Sequence, residues 1–468
     1  MFKKSFLKTI FSISLVFIVL AGCSDNKDKD SKGSEKGENG KEKVELSLWL
    51  TPQWEGVLDA SEEGASYDSF FKHAAERFSD EYDEYDVDIK IEVVASDQRD
   101  ELLNVNLNGG TPPDIFYESV FAMGEYAHRG ALVPLNDIVD DEAKNDIDAS
   151  YWDSVTFGED VYFYPYSHMP GTLTYNADMF KAAGLEDYIG DENEIQTWTL
   201  DEYETILKTL KADLPKDKYS NAYPMSLFAV NDQGDTWNLA YLRMFGNEFF
   251  DDEGNIIFDD ASGVKAAKWL KKIYDDGLTN PGAESVSSND TIAMFQNQQL
   301  AINFVNSVLF NNIKADMESG QAPKFDVRLA NIPSESGDPV SFTYVTGAGV
   351  FDSGDETKVQ ISKDFVKFFS TDPELVKSSK NGVPVRSSVA EQFKDENPLF
   401  AAYDENAEFM FNFTGNVPGY NQLRQVLYPE LQALYTGEKS AEEIVKDYQE
   451  KGNKIIDDSK ADSIIYNE

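Results

Sequence analysis

The chain of 468 residues has only one cysteine and three histidines. A single cysteine cannot form a disulfide within the chain, and so few thiols and imidazoles leave little material for a zinc or redox centre. Positive charge is also scarce, because 41 lysines and arginines stand against 85 aspartates and glutamates, and the formal net charge is −44. A surface this acidic repels the phosphate backbone of nucleic acids. We therefore expect no metal, no cofactor and no nucleic-acid partner.

Long apolar runs are missing as well. The run at residues 10–20 has 11 residues, which suits the core of a secretion signal and is too short to span a bilayer. Lys3, Lys4 and Lys8 precede this run, as in signal peptides, and no later stretch approaches the length of a membrane-spanning helix. We expect no transmembrane segment.

The residues that follow, Leu20-Ala21-Gly22-Cys23, resemble the lipobox of bacterial lipoproteins. The resemblance implies that residues 1–22 are a signal peptide, that cleavage occurs before Cys23, and that Cys23 carries the lipids that anchor the protein on the extracytoplasmic face of the cell membrane. Cleavage would remove three lysines and change the net charge from −44 to −47. The alternative is an ordinary signal peptide with an unmodified cysteine.

A polar segment separates this cysteine from the rest of the chain. Residues 24–43 are only Ser, Asp, Asn, Lys, Gly and Glu, a composition that cannot bury a core. We predict that residues 23–43 form the lipidated cysteine and a disordered tether.

The remainder has the composition of a folded protein, since the whole chain is 41% apolar and 13% aromatic and is long enough for two or three domains. Apolar residues alternate over 44–50 and 87–93, which predicts strands, and they recur at helical spacing over 70–78 and 102–107. A short strand follows at 115–117. The order β-α-β-α-β predicts a parallel sheet, with ligand-binding loops after the carboxyl ends of its strands.

Helices dominate the middle and the end of the chain. Thr199 with Glu202, and Ser440 with Glu443, have the spacing of capping boxes. No second low-complexity linker follows the tether. Two domains without a linker must share a large interface or exchange the chain several times.

Several sequence motifs, in their order, resemble those of family 1 extracellular solute-binding proteins, the sugar receptors of bacterial ABC importers. The first half of the chain has NGGTPPDIF at 108–116, AHRGALVPLN at 127–136, YFYPY at 162–166 and YNAD at 175–178. The second half has TWTLDE at 197–202, MFQNQQLA at 294–301, SKDFVKFF at 362–369 and YTGEKSAEE at 435–443. Each motif alone is weak evidence for the family, but the order of the motifs is specific. Together they span nearly all of the chain after the tether.

This resemblance implies an α/β, two-lobed, periplasmic-binding-protein-like fold, in which each lobe is a mostly parallel sheet flanked by helices and the ligand cleft lies between the lobes. The first lobe would comprise residues 44–166 plus 344–385, and the second lobe residues 167–343 plus 386–468. The resemblance also implies a monomer that closes around a sugar, an oligosaccharide in particular, and delivers it to the membrane subunits of an ABC permease.

A sugar site needs aromatic rings for the C–H faces of the sugar and polar side chains for its hydroxyls. The positions that match the binding loops of the family, together with the residues at the ends of the predicted strands, give the following candidates: Trp54, Glu55, Glu118, Ser119, Phe121, Tyr166, His168, Asp232, Asp235, Trp237, Asn303, Asn306, Tyr344, Thr346, Tyr420 and Arg424. Met169 stands where the maltose-binding member of the family has a carboxylate, which leaves the identity of the sugar open.

Other interpretations of these residues remain. Any of the aromatic candidates could instead belong to a core, since the chain is rich in Phe and Tyr. An extracytoplasmic glycoside hydrolase would also need paired carboxylates, although the chain has no catalytic motif. The same fold could carry a solute other than a sugar. Residues 251–255, DDEGN, could suggest a calcium loop, but the later bidentate Glu is missing and we predict a hairpin turn.

Overall fold

A computed structural model describes residues 40–51, 68–95, 98–231, 233–378, 382–395 and 397–467. The chain begins with β-α-β units, and the elements are β1 (Lys43–Leu50), α1 (Ser69–Glu81), β2 (Asp86–Val93), α2 (Arg99–Gly109) and β3 (Ile115–Ser119). β1 pairs in parallel with both β2 and β3. The predicted β-α-β-α-β order and the parallel pairing are therefore confirmed.

The alternation of β1 divides the first lobe into two cores. Leu48 packs with Phe70 and Phe71 of α1 on one face of the sheet. Trp49 points to the other face, where its ring lies 6.3 Å from that of Phe116 in an edge-to-face contact. Only the carboxyl end of β1 is buried on both faces, since Lys43 and Glu45 are exposed at its start, and there its side chains alternate between two packed layers.

Helices and a small hairpin complete the chain up to the first crossing between the lobes. These elements are α3 (Val120–His128), α4 (Asp141–Asp146), α5 (Ala149–Val155), β4 (Thr156–Phe157) and β5 (Asp160–Val161). β6 (Tyr164–Asn176) then leaves the first lobe and enters the second, and all of its 13 residues are buried.

The second lobe follows on β6. Its first part consists of α6 (Ala177–Ala182), β7 (Ile195–Gln196), α7 (Leu200–Asp213), β8 (Tyr223–Met225), α8 (Gln233–Arg243) and α9 (Ala261–Asp275). The next elements are α10 (Ser288–Gln296), β9 (Leu300–Asn306), α11 (Ser307–Ser319) and β10 (Val327–Ala330). Apolar side chains of β6, α7, α9 and β9 form its main core.

The chain returns to the first lobe through β11 (Phe342–Val350), which pairs antiparallel with β6 and then with β3. The sheets of the two lobes are therefore continuous, in the order β2-β1-β3-β11-β6-β10-β7, with β9 also on β6 and β8 on β9. Parallel pairs lie inside the lobes, whereas the crossing strands add antiparallel pairs.

The last part of the chain passes between the lobes. Its elements are α12 (Glu356–Thr371), α13 (Pro373–Ser378), β12 (Val383–Pro384), α14 (Ser387–Gln392), α15 (Leu399–Asp404), α16 (Tyr420–Thr436), α17 (Ala441–Lys460) and α18 (Ile464–Asn467). Val389 and Phe393 pack in the first lobe, while Leu399 and Tyr403 pack in the second. Ala407 packs in the first lobe again, so this part of the chain contacts both lobes in turn, and the lobe boundaries stay a prediction.

Local signals in the sequence agree with the structure. Both predicted capping boxes form, on α7 with Thr199 and Glu202 and on α17 with Ser440 and Glu443. The predicted turn at 251–255 also forms, because Oδ1 of Asp251 accepts backbone N–H groups from two residues of the turn. Among the described residues, every helix is too short or too polar to cross a membrane.

Candidate functional site

Four of the predicted site residues come together between the lobes, and we call Phe121, Tyr344, Asn306 and Arg424 the interlobe cluster. The Phe121 and Tyr344 rings meet edge to face, with centroids 5.3 Å apart at 89°. The guanidinium carbon of Arg424 lies 5.2 Å from the centroid of Phe121. Nδ2 of Asn306 donates to the Tyr344 hydroxyl at 3.2 Å. Aromatic faces, an amide and a cation therefore converge there.

Each member of the interlobe cluster comes from a different element. Phe121 lies in the first turn of α3 in the first lobe, and Arg424 lies on α16 in the second. Tyr344 lies on the crossing strand β11, opposite Met169 of β6. Asn306 ends β9 and caps α11, since its Oδ1 accepts the backbone N–H of Leu309 at 2.9 Å. The site is thus assembled by the crossing strands and by helix ends.

Phe413 also belongs to this region, although the sequence analysis did not select it. Its ring lies 5.9 Å from Phe121 and 4.8 Å from Phe342 of β11. It also helps to line a shallow cavity between the lobes, together with Phe121 and Tyr344. The signal that could have identified it is the turn-rich run 411–420, FNFTGNVPGY, which interrupts the helical pattern with two phenylalanines.

Glu118 and Ser119 lie at the carboxyl end of β3, immediately before α3. The Glu118 carboxylate is buried and accepts the backbone N–H of Ser119 at 2.7 Å and its hydroxyl at 2.8 Å. The hydroxyl of Thr51 donates to its other oxygen, and the guanidinium of Arg99 lies 3.7 Å away. A buried carboxylate needs such partners because desolvation is costly. These contacts hold the buried carboxylate in place at the end of β3.

The electrostatics link this carboxylate to the interlobe cluster. Burial raises the pKa of the Tyr344 hydroxyl above its ordinary value, the hydrogen bond from Asn306 opposes this, and the charge of Glu118 raises the pKa further. Tyr344 therefore stays a neutral phenol at every physiological pH, and it can act as a hydrogen-bond donor.

Other predicted residues lie inside the protein rather than in the cluster. The Tyr166 ring packs against Phe70, and its hydroxyl donates to the carbonyl of Leu375 at 3.2 Å. The Thr346 hydroxyl lies 2.7 Å from that of Ser167 and is buried with it. These side chains hold β6, β11 and the first-lobe core together. Their role in ligand binding stays a prediction.

Three further candidates are also buried. His168 is 1% exposed and contacts the hydroxyls of Tyr151 and Thr343. Asn303 is fully buried on β9, and its amide has no hydrogen-bond partner within the described ranges. Tyr420 begins α16, with its ring 6.0 Å from Phe413. Of these three, only Tyr420 touches the region of the interlobe cluster.

The remaining candidates cannot be placed. Trp54, Glu55 and Asp232 lie outside the described residues. Asp235 and Trp237 lie on α8, but their side chains are outside what the structure describes. Their ligand-binding role stays a prediction. Cys23, the predicted lipidation site, also lies outside the described residues.

Comparison with protein families agrees with this architecture. The model of the bacterial extracellular solute-binding protein family matches residues 61–374, which is well over half of the chain. The matched range begins before α1 and includes both crossing strands, β6 and β11, and all elements of the second lobe between them.

The curated relatives have low sequence identity, and two of them align over most of this chain. A binding protein of Brucella abortus is 22% identical over 403 residues, which are 85% of this chain and 92% of that protein. The arabinooligosaccharide-binding protein of Bacillus subtilis is 20% identical over 372 residues, or 78% of this chain and 76% of that protein. A lipoprotein of Streptomyces antibioticus is 25% identical over 140 residues, which are 30% of each chain.

Solved structures share the fold over most of the chain. An ABC transporter solute-binding protein of Thermotoga lettingae, bound with α-D-tagatose, has a TM-score of 0.69 at 20% identity and covers 88% of this chain and 99% of its own. The cyclic α-maltosyl-1,6-maltose binding protein of Arthrobacter globiformis has a TM-score of 0.70 at 20% identity, with 89% and 99% covered. The fold is therefore that of the two-lobed binding proteins.

Proposed function

Because the chain belongs to the family of bacterial extracellular solute-binding proteins, we propose that it captures a sugar outside the cell membrane and delivers it to an ABC permease. An oligosaccharide is the favoured ligand. The family consists of receptors rather than enzymes, and we propose no catalytic step for this chain.

The observation that carries the proposal is the interlobe cluster. Sugar rings have apolar C–H faces that pack on aromatic side chains, and hydroxyls that pair with amides, carboxylates and guanidinium groups. Phe121 and Tyr344 supply the rings, Asn306 and Arg424 supply the polar groups, and Glu118 places a carboxylate nearby. The similar proteins of Thermotoga lettingae, Arthrobacter globiformis and Bacillus subtilis bind sugars by their names, which supports the same chemical class.

The position of the cluster supports a closure mechanism. Phe121 belongs to the first lobe and Arg424 to the second, while Tyr344 lies on a strand that joins them. A ligand that contacts all three stabilises the arrangement in which the lobes are closed, because only that arrangement brings them together. We propose that the permease recognises the closed form.

Membrane attachment forms a second part of the proposal. The lipobox-like residues 20–23, followed by the polar segment 24–43, support a protein that is tethered by lipids on Cys23 to the extracytoplasmic face of the cell membrane. We propose that it acts there as a monomer. The partial likeness to a Streptomyces lipoprotein points in the same direction.

Ligand-dependent stability is the direct test of sugar binding. The soluble chain from residue 24 onward would be heated with D-tagatose, maltose, cyclic maltosyl-maltose and arabino-oligosaccharides, and a bound sugar should raise the melting temperature by mass action. Calorimetry would then give the affinity, and small-angle scattering should show a smaller radius of gyration with saturating sugar.

Two results would contradict the proposal. If no sugar changes the melting temperature but amino acids, peptides or polyamines do, the solute is not a sugar. If incubation with an oligosaccharide yields shorter products, the protein is a glycoside hydrolase.

A further inference from the structure

The Asn306 side chain has a fixed orientation. Its Oδ1 caps α11 by accepting the backbone N–H of Leu309 at 2.9 Å, so its amide nitrogen must point the other way. That nitrogen lies 3.2 Å from the Tyr344 hydroxyl oxygen. An amide nitrogen can only donate, and therefore the oxygen of Tyr344 is the acceptor in this hydrogen bond.

This assignment leaves the hydroxyl hydrogen of Tyr344 to be placed. The hydrogen cannot point to Asn306, because the amide nitrogen offers no lone pair there. Within the part of the chain that the structure describes, no other hydrogen bond involves this hydroxyl. The neighbouring ring of Phe121 meets Tyr344 edge to face and supplies no oxygen or nitrogen acceptor.

The surroundings of the hydroxyl favour a ligand as the acceptor. The shallow cavity between the lobes is lined by Tyr344, Phe121 and Phe413, so this side chain borders the space between the lobes. The Tyr344 side chain is half-buried, and a ligand that displaces water from its hydroxyl must accept the hydrogen, or free energy is lost. A sugar oxygen in the cleft would satisfy it.

We propose that Tyr344 is a specificity-determining donor whose direction is fixed by the helix cap at Asn306, so that the site selects a sugar with an acceptor oxygen at this point. This inference rests on the proposed function. It goes further because it assigns the polarity of one hydrogen bond and names the residue that sets it.

The decisive variants change the partner of Tyr344 while keeping the helix cap. In Asn306→Asp, one carboxylate oxygen still caps α11 and the other can accept the Tyr344 hydrogen, which withdraws that hydrogen from the ligand. In Asn306→Ser, the hydroxyl still caps α11 but is too short to hold the Tyr344 hydrogen. Tyr344→Phe removes the donor outright.

Calorimetry would measure the affinity of each variant for the tightest-binding sugar among maltose, D-tagatose and arabinotriose. Tyr344→Phe and Asn306→Asp should each weaken binding about 5- to 10-fold, the effect of one neutral hydrogen bond. Asn306→Ser should weaken binding less than Asn306→Asp does, because the Tyr344 hydroxyl keeps its hydrogen for the ligand. Adding Asn306→Asp to Tyr344→Phe should cause no further loss, since the hydroxyl is already absent.

Contrary results are equally clear. If Asn306→Asp binds as tightly as the unaltered protein while Tyr344→Phe does not, the cap does not set the polarity. If Asn306→Asp weakens binding equally with and without the Tyr344 hydroxyl, its new charge is responsible and the inference fails. The melting temperature of each ligand-free variant shows whether it is folded.

A ligand-free measurement separates this inference from the proposed function. The ¹³Cζ resonance of Tyr344, assigned by its loss in Tyr344→Phe, should move strongly in Asn306→Asp, where the phenol donates to a carboxylate, and little in Asn306→Ser. Equal shifts in both variants would overturn the inference. If no sugar binds but the shifts differ as expected, the polarity stands and the proposed function fails.

Discussion

His168 and Thr343 connect the two strands that cross between the lobes. Nδ1 of the imidazole lies 3.1 Å from the Thr343 hydroxyl on β11, and Nε2 lies 3.1 Å from the Tyr151 hydroxyl. Burial lowers the pKa of His168 from 6.5 to about 3, so the ring is neutral in the folded protein. The crossing therefore contains a titratable group that cannot take up a proton without disruption.

Stability should consequently fall in mild acid. His128 is a second such group: burial lowers its pKa to about 4, with an opposing hydrogen bond to the carbonyl of Asn416. Below pH 6.5 the unfolded chain binds protons at these histidines and the folded chain does not, so the free energy of unfolding decreases as pH falls. At pH 5.5 the loss should be about 1.4 kcal/mol for each histidine relative to pH 7.5. Urea unfolding at the two pH values measures it.

Histidine variants provide the control. His168→Gln and His128→Gln should each remove about half of the pH-dependent loss, whatever their effect on stability at pH 7.5. An identical pH dependence in the unaltered protein and both variants would contradict the assignment.

Arg424 should matter for binding rather than for folding. Its guanidinium lies over the Phe121 ring across the lobes, and replacing Arg424 with Gln removes both this contact and a cation available to sugar hydroxyls. We expect sugar affinity to fall about 5- to 50-fold, with little change in the ligand-free melting temperature. Arg129→Gln is the matched control, because Arg129 lies 5.7 Å over the Tyr126 ring on α3 but is exposed. Equal losses of affinity would argue against a site at Arg424.

Asn416 should be a major connection between its loop and the first lobe. Its side-chain nitrogen donates to the carbonyls of Asp153 and Thr156, both at 2.7 Å, and its backbone has a φ of 48°. Asn416→Gly loses the side-chain hydrogen bonds but adopts this φ without strain. Asn416→Ala loses the hydrogen bonds and is also strained at this φ. We expect unfolding free energies lower by about 1–3 kcal/mol for Gly and about 1 kcal/mol lower again for Ala. Chemical unfolding measures the free energy of unfolding of each variant. Equal values for Asn416→Ala and Asn416→Gly would show that the positive φ costs no free energy.

Cys23 should decide where the protein is found. Cys23→Ala prevents lipidation, so the protein should move from the membrane fraction to the medium. Deleting residues 24–42 should leave the protein in the membrane fraction and preserve sugar affinity, since that segment contains no side chains suited to a packed pocket. Unchanged membrane retention of Cys23→Ala would contradict a lipid anchor.

Local sequence patterns determined much of the fold. The alternation in β1 predicted a strand, and the structure confirms the strand and places Leu48 and Trp49 in separate clusters. The spacing of Thr199 and Glu202 predicted the start of α7. These features depend on neighbouring residues in the chain, so periodicity and capping chemistry are sufficient to predict them.

The burial of side chains on the crossing strands was not predicted from the sequence. The sequence analysis proposed Tyr166, His168 and Thr346 as ligand-binding residues from the resemblance to the family, and that role stays a prediction. In the structure they belong to β6 and β11, which are central in a continuous sheet and covered on both faces. Burial on both faces removes the polar alternation that would distinguish a core side chain from a cleft side chain.

The sequence by itself determined the strands and helices of the β-α-β units and the helix caps, because each is set by periodicity or by contacts over a few residues. Only the tertiary structure decided that Phe121, Tyr344 and Arg424 meet. These residues come from a helix of the first lobe, a crossing strand and a helix of the second lobe, and their contacts depend on how the two lobes pack together. No spacing in the chain records that packing, since it results from burial of apolar surface across distant segments.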